Sequence, residues 1–184
     1  MPSFNWFAIT SLSVAIVALV IVFVILIFGK TKLHKVWMFF NLAILFWGAG
    51  CFLVGIARTE EFGILGWKVA NAGGFFLGPL FFHFSLIFCK TKNRGVLAFG
   101  YAQAVIFNIL TFSTNLVINK TRHVFGLFYH DPTWIYQAAV VSYLFLVGAG
   151  YRNFIRQYFR EEGGEKTQLT YILVAFSIGF LGGT

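Results

Sequence analysis

Within the long apolar stretches of this chain, one side chain titrates readily near neutral pH. It is His83, in the run Phe81-Phe82-His83-Phe84-Ser85. An imidazole at that depth could hold or pass a proton, and ionisable groups inside a membrane span usually face the bundle interior. His83 has no Asp or Glu beside it to complete a relay. The residues therefore favour a neutral ring hydrogen-bonded to a neighbouring helix, with a sensing role as the alternative. Asn71, in the same apolar run, and Asn41, in the run before it, are polar groups that join His83 as candidate ligand or sensing positions.

Other chemistry is harder to find. His123, His130 and Asp131 share one connector, but their spacing and the lack of further ligands give no zinc signature. Cys51 and Cys89 form no C-x-x-C pair and fall at different depths of different apolar runs, so neither a disulfide nor a metal site is expected. No phosphate-binding glycine loop, H-E-x-x-H or G-x-S-x-G occurs, and no cofactor or catalytic residue is assigned. All six acids, Glu60, Glu61, Asp131, Glu161, Glu162 and Glu165, lie in connectors. Ion-coupled transport usually needs carboxylates within the membrane, so their placement argues against it.

The elements that carry these residues are long apolar helices. A bilayer core about 30 Å thick takes about 20 apolar helical residues. Runs at 7–29, 36–56, 69–89, 95–112, 134–151 and 168–184 meet or approach that length. With 59% hydrophobic and 11% charged residues, the expectation is an all-α, polytopic transmembrane bundle of six spans in one domain, 1–184. The last run closes on glycines with no basic residue or tail, so a seventh span is expected beyond Thr184. Ten of the fourteen Lys and Arg residues sit in the connectors after the first, third and fifth runs. By the positive-inside rule these connectors face the cytoplasm and the N-terminus lies outside. No basic residue precedes the first run, which reads as a span rather than a cleaved signal peptide. The net charge of +8 is then answered by anionic lipid, and no nucleic-acid partner is expected.

Small residues suggest how the spans pack. Asn41, Ile44, Gly48, Cys51 and Gly55 recur at steps of three and four, and Asn71, Gly74, Gly78 and Ser85 share a face of the third span. The expectation is that Gly48 and Gly55 meet Gly74 and Gly78, because helices in lipid associate by close backbone approach. A ligand-lining groove is the alternative use of these faces. Pro79 should kink the third span, since it cannot donate to the carbonyl of Phe75. The Val- and Ile-rich first span reads as lipid-facing, and Gln103, Asn108, Gln137 and Ser142 as groups able to bridge helices. Residues 113–133 read as an exterior connector with interfacial aromatics and a sequon at Asn119. Arg152, Arg156 and Arg160 form a basic stripe that extends the fifth helix into the cytoplasm and reaches lipid phosphates.

Several of these segments together resemble the N-terminal seven-transmembrane region found on bacterial sensor histidine kinases. The resemblance rests on Asn41 to Trp47, on Trp67, and on Gly78 and Pro79 followed by Phe81-Phe82-His83-Phe84. It continues through Gly126 to Tyr129, through Gln168 to Tyr171, and through Ile178, Gly179 and Gly182, covering about 36–183. It implies a sensory input module in the bacterial inner membrane, coupled through a seventh span to a cytoplasmic output enzyme. It also implies a homodimer formed through those cytoplasmic domains and a response regulator as partner. Kinase activity would belong to those domains, and His83, within the bilayer, is not a phospho-acceptor. The runner-up is a small multi-pass transporter or channel subunit, although the first and last three spans show no internal repetition.

Overall fold

The computed structural model describes residues 5–182, with side chains to Phe180. Gly183 and Thr184, the end of the expected sixth span, lie outside the described residues. In chain order the elements are α1 (Trp6–Phe28), α2 (Lys32–Ile56), α3 (Glu60–Phe88), α4 (Arg94–Ser113), β1 (Ile118–Val124), β2 (Leu127–Pro132), α5 (Trp134–Tyr158) and α6 (Gly163–Gly182).

Local chemistry sets the helix starts. Asn5, Thr31, Thr59, Asn93 and Thr133 stand at the N-caps of α1 to α5, and each side chain accepts a first-turn N–H. At Thr31 the cap is reciprocal, because the His34 ring accepts from the Thr31 N–H in return. The end of α3 is closed differently. Lys90 adopts a left-handed φ of 52°, and the Thr91 N–H reaches back to the Leu86 carbonyl at 2.9 Å.

Among the described residues five helices, α1 to α5, are long and apolar enough to cross a membrane. α6 is not one of them, so the expectation of six spans is met only for five. Its first turns spend Glu165, Lys166 and Gln168 on polar surface, which shortens the apolar part of the helix. Residues 113–133 are also not a plain connector. They hold an antiparallel hairpin in which Thr121, Arg122, His123 and Val124 pair with His130, Tyr129, Phe128 and Leu127. Its two-residue loop is Phe125-Gly126, with φ of 51° and 79°, the signs that a type I′ turn requires.

α3 is the central element, in contact with α2, α4, α5 and both strands. The α2–α3 seam is built from glycines, though not those expected. A Cβ at Gly50 would lie 2.6 Å from the Gly66 carbonyl oxygen, and one at Gly66 would lie 2.8 Å from the Val54 nitrogen. A Cβ at Gly73 would strike the backbone of Ala43 and Trp47. Gly74 is the looser neighbour, with only Trp47 Cδ1 at 3.7 Å. Gly48 and Gly55 face away from α3, towards α1. Their Cβ positions would meet the Ser11 carbonyl oxygen at 3.0 Å and the Ala8 Cβ at 2.7 Å. α1 answers with a buried stripe of Ala8, Ser11, Ala15 and Ala18, so it is a packing helix on one side and lipid-facing on the other. Gly78 turns towards α5, where Tyr143 Cδ2 lies 3.1 Å from its Cβ position. One residue of helix is a turn of about 100°, enough to move Gly74 and Gly78 off the face that Gly66 and Gly73 occupy.

Adjacent glycines therefore test the seam. Gly73→Ala should cost about 1–3 kcal/mol through backbone overpacking. Gly74→Ala should be neutral or slightly stabilising, since Ala is the better helix former by about 1 kcal/mol. Thermal unfolding in detergent reads both, and equal melting temperatures would reject this seam.

Candidate functional site

His83 is half-buried on α3, and its Nδ1 lies 2.9 Å from the Tyr101 hydroxyl of α4. The two rings meet edge to face at 5.8 Å. One turn towards the hairpin end of α3, Pro79 lies 3.4 Å from the Cβ position of Gly100, where two Leu146 methyls of α5 also approach to 3.2 Å. The Gly78-Pro79 step is thus where α3 meets both α4 and α5. Below it, Ser85 is fully buried, donates to the Phe82 carbonyl at 2.7 Å and accepts from Asn153 Nδ2 of α5 at 3.0 Å. His83–Tyr101 and Ser85–Asn153 are consequently polar ties from one stretch of α3 to two different helices.

The other candidate amides are not brought to His83 by any hydrogen bond. Asn41 is buried on α2 and donates to the Trp37 carbonyl of its own helix at 2.8 Å. Asn71 is buried on α3 with Nδ2 unpartnered. The expected bridging groups behave similarly. Asn108 bonds its own helix at Ala104, Gln137 is exposed, and Gln103 Oε1 and Ser142 Oγ are buried without partners. The bridges that do form, through Tyr101, Asn153 and a Tyr151–Ser177 contact of 3.2 Å between α5 and α6, use residues that no sequence pattern singled out.

At the opposite end of α3 the hairpin is docked on a single helical face. Glu60 Oε1 accepts from the Thr121 N–H at 2.9 Å, and the Trp67 indole N–H donates to the Phe128 carbonyl at 2.6 Å. Gly63 has no Cβ where Phe128 would lie 2.6 Å away. His130 sits edge-on between Trp67 (4.7 Å) and Tyr136 (4.5 Å), its Nδ1 buried and unpartnered. Burial holds the His130 imidazole below its ordinary value, against the opposing pull of Asp131 through its backbone and its charge. Asp131 is itself paired with Arg122 at 2.9 Å, on the exposed side of the strands. His123 lies against Phe128 rather than with His130, at 4.9 Å between ring centroids.

A bundle of apolar helices with polar ties inside and a docked hairpin at one end agrees with what comparison finds. The family described as the N-terminal 7TM region of histidine kinase matches residues 9–184. The chain belongs to that family. No curated protein and no solved structure matches it. As a histidine kinase 7TM region with several helices long and apolar enough to cross a membrane, the chain is a membrane protein. Its family description counts seven spans, of which the described residues hold five by length and composition.

Two outcomes follow for this 7TM region. If His83 serves structure, His83→Gln keeps folding intact, while a double-mutant cycle of His83→Leu with Tyr101→Phe gives a coupling of about 0.6 kcal/mol. A coupling of zero would remove the tie. For His130 the folded state favours the neutral ring, so its contribution to stability is complete above the ordinary value of 6.5 and is lost as pH falls through the lower folded value. Melting curves between neutral and acidic pH should show wild type losing stability more steeply than His130→Gln. Parallel curves would dismiss His130 as the cause.

Proposed function

We propose that the chain is the membrane-embedded sensory input module of a bacterial signal-transduction receptor, a two-component sensor histidine kinase. The observation that carries this reading is the family match over residues 9–184. In this reading α6 is the sixth span, the N-terminus lies outside, and the basic ends of α2, α4 and α5 face the cytoplasm of an inner membrane. The output kinase lies on the C-terminal side, works as a homodimer and passes its phosphoryl group to a response regulator. His83, Asn71 and Asn41 remain the candidate sensing positions.

The packing supports a division of labour within such a module. α1, α2 and α3 are joined by close backbone approach, which leaves little room to slide. α6 is held instead by rings. Phe176 packs on Trp37, Phe40, Phe81 and Phe84, and Phe180 on Phe81, Tyr143 and Tyr151. Gly179 of α6 has nothing within 4 Å of its Cβ position. Aromatic contacts tolerate more than one arrangement, so α6 is the element able to take two packings against a fixed three-helix body. A stimulus would shift that balance only by its differential affinity for the two packings.

Two measurements test the reading. Cysteine labelling should place residues near Lys32, Lys92 and Arg156 inside and those near Glu60 and Lys120 outside. Exterior labelling at Lys92 would reverse the orientation. In the full-length receptor, Phe176→Ala should change basal autophosphorylation several-fold, while a lipid-facing change in α1, Val17→Leu, should leave it unaltered. Equal signalling in both variants would remove α6 from the output route.

A further inference from the structure

The end of α3 that closes through Lys90 shapes two adjoining cavities. Both are lined by Leu86 near the end of α3 and by Thr91, Lys92 and Asn93 of the short α3–α4 turn. The first, of about 210 Å³, lies between this turn and the last turns of α5, where Arg152, Arg156, Arg160 and Asn153 complete its wall. The second, of about 380 Å³, lies on the α4 side of the turn. Lys90, Lys92 and Arg94 stand at its mouth, and Ile87, Leu97 and His83 line it further in. From Phe88, the last residue of α3, back to His83 is five residues of helix, roughly 7.5 Å along the axis.

Six cations therefore surround one turn, and no carboxylate lines either cavity. Among the described residues the ion pair that forms is Arg122–Asp131, at the other end of the bundle, so none of the six is neutralised by an acid. The nearby Glu161 carboxylate is engaged by the Gln157 amide. The frame is well fixed. Asn153 is tied to the buried Ser85, and Lys90 and Thr91 are held by backbone bonds to Ile87 and Leu86. The first turn of α4, capped by Asn93, begins at the same place, and a helix start leaves backbone N–H groups without intrahelical partners. Arginine forks suit phosphate oxygens in particular.

The second cavity distinguishes the ligand. A soluble phosphate would use the cationic mouth and leave the apolar shaft of Leu86, Ile87 and Leu97 empty. A phospholipid uses both, its phosphate at the mouth and the upper part of one acyl chain along the shaft. We infer that the α3–α4 turn and the end of α5 form a binding site for an anionic phospholipid, its phosphate held at Lys92 where the two cavities adjoin, with Lys90 and Arg94 on one side and Arg152 and Arg156 on the other, and one chain lying over Ile87 and Leu97 towards His83. This inference needs only the membrane placement of the chain and holds whichever way the bundle is oriented and whatever it senses.

The test is lipid retention by the full chain. The protein is purified from nanodiscs of phosphatidylglycerol and phosphatidylcholine, and bound lipid is counted by native mass spectrometry during progressive detergent washing. Wild type should retain phosphatidylglycerol over phosphatidylcholine. Lys92→Gln with Arg156→Gln should lower that retention roughly thirtyfold, about fivefold for each cation removed near the headgroups. Lys30→Gln with Lys35→Gln removes the same charge at the same end of the bundle and should change nothing. Leu97→Trp, which fills the shaft and keeps every charge, should also release the lipid, and it serves if the doubly neutralised variant fails to fold. Equal loss in the Lys30/Lys35 control would reduce the site to general attraction between a basic surface and acidic lipid. Displacement by inorganic phosphate, with Leu97→Trp behaving as wild type, would make it a soluble-phosphate site. Either result overturns the inference.

Discussion

Everything in this bundle is arranged around the close approach of α2 and α3. Gly50, Gly66 and Gly73 remove the side chains that would hold the two backbones apart, and α3 can then serve as the post against which α4, α5 and the hairpin are set. In lipid no solvent drives helices together, so contact area and hydrogen bonds must do it. Glycine provides the area by letting main chains touch. The polar ties at Tyr101 and Asn153 come second, because they reach α3 only where the packing has already placed it.

The same logic separates the two halves of the molecule by kind of contact. On one side Ala8, Ser11 and Ala15 of α1 lie on the glycines of α2, a surface of small groups with one good register. On the other side rings from α2, α3, α5 and α6 stack at varied angles, from nearly parallel for Phe176 and Phe180 to edge-on for Phe81 and Phe180. A small-residue seam resists a shift of one residue, whereas a nest of rings can re-pack with little loss of contact. Stiffness and adaptability have thus been assigned to different helices.

How much of this was legible in the chain depended on the range of the signal. Helix existence follows from apolar length, and the basic connectors mark alternate ends, so five of the spans stand close to where hydropathy puts them. Partner choice does not follow. Gly48 and Gly55 share a helical face, but nothing in their spacing says whether α1 or α3 will cover it. The Ala8–Ser11–Ala15–Ala18 stripe that answers the question is hidden among Val and Ile. The hairpin was concealed by its own turn. A type I′ loop normally advertises itself as Asn-Gly, and here Phe125, 96% exposed and left-handed, stands in the first position. The Glu60, Gly63 and Trp67 docking face is regular in spacing, and only an expected pair of strands would have given it a meaning.

α3 has 29 residues, a rod of roughly 43 Å at 1.5 Å per residue, against a hydrocarbon layer of about 30 Å. Upright, it must overhang the oil by more than two turns. Two strands alone leave open edges, rows of main-chain groups that hydrocarbon cannot satisfy and water can. An overhang at the hairpin end would lift those edges clear of the acyl chains and set Trp67, Tyr129 and Trp134 at headgroup height, where amphipathic rings are at ease. Deleting two turns from the first half of α3 would therefore do more than shorten a helix. It would pull the open edges of the hairpin down into a layer with no water to receive them.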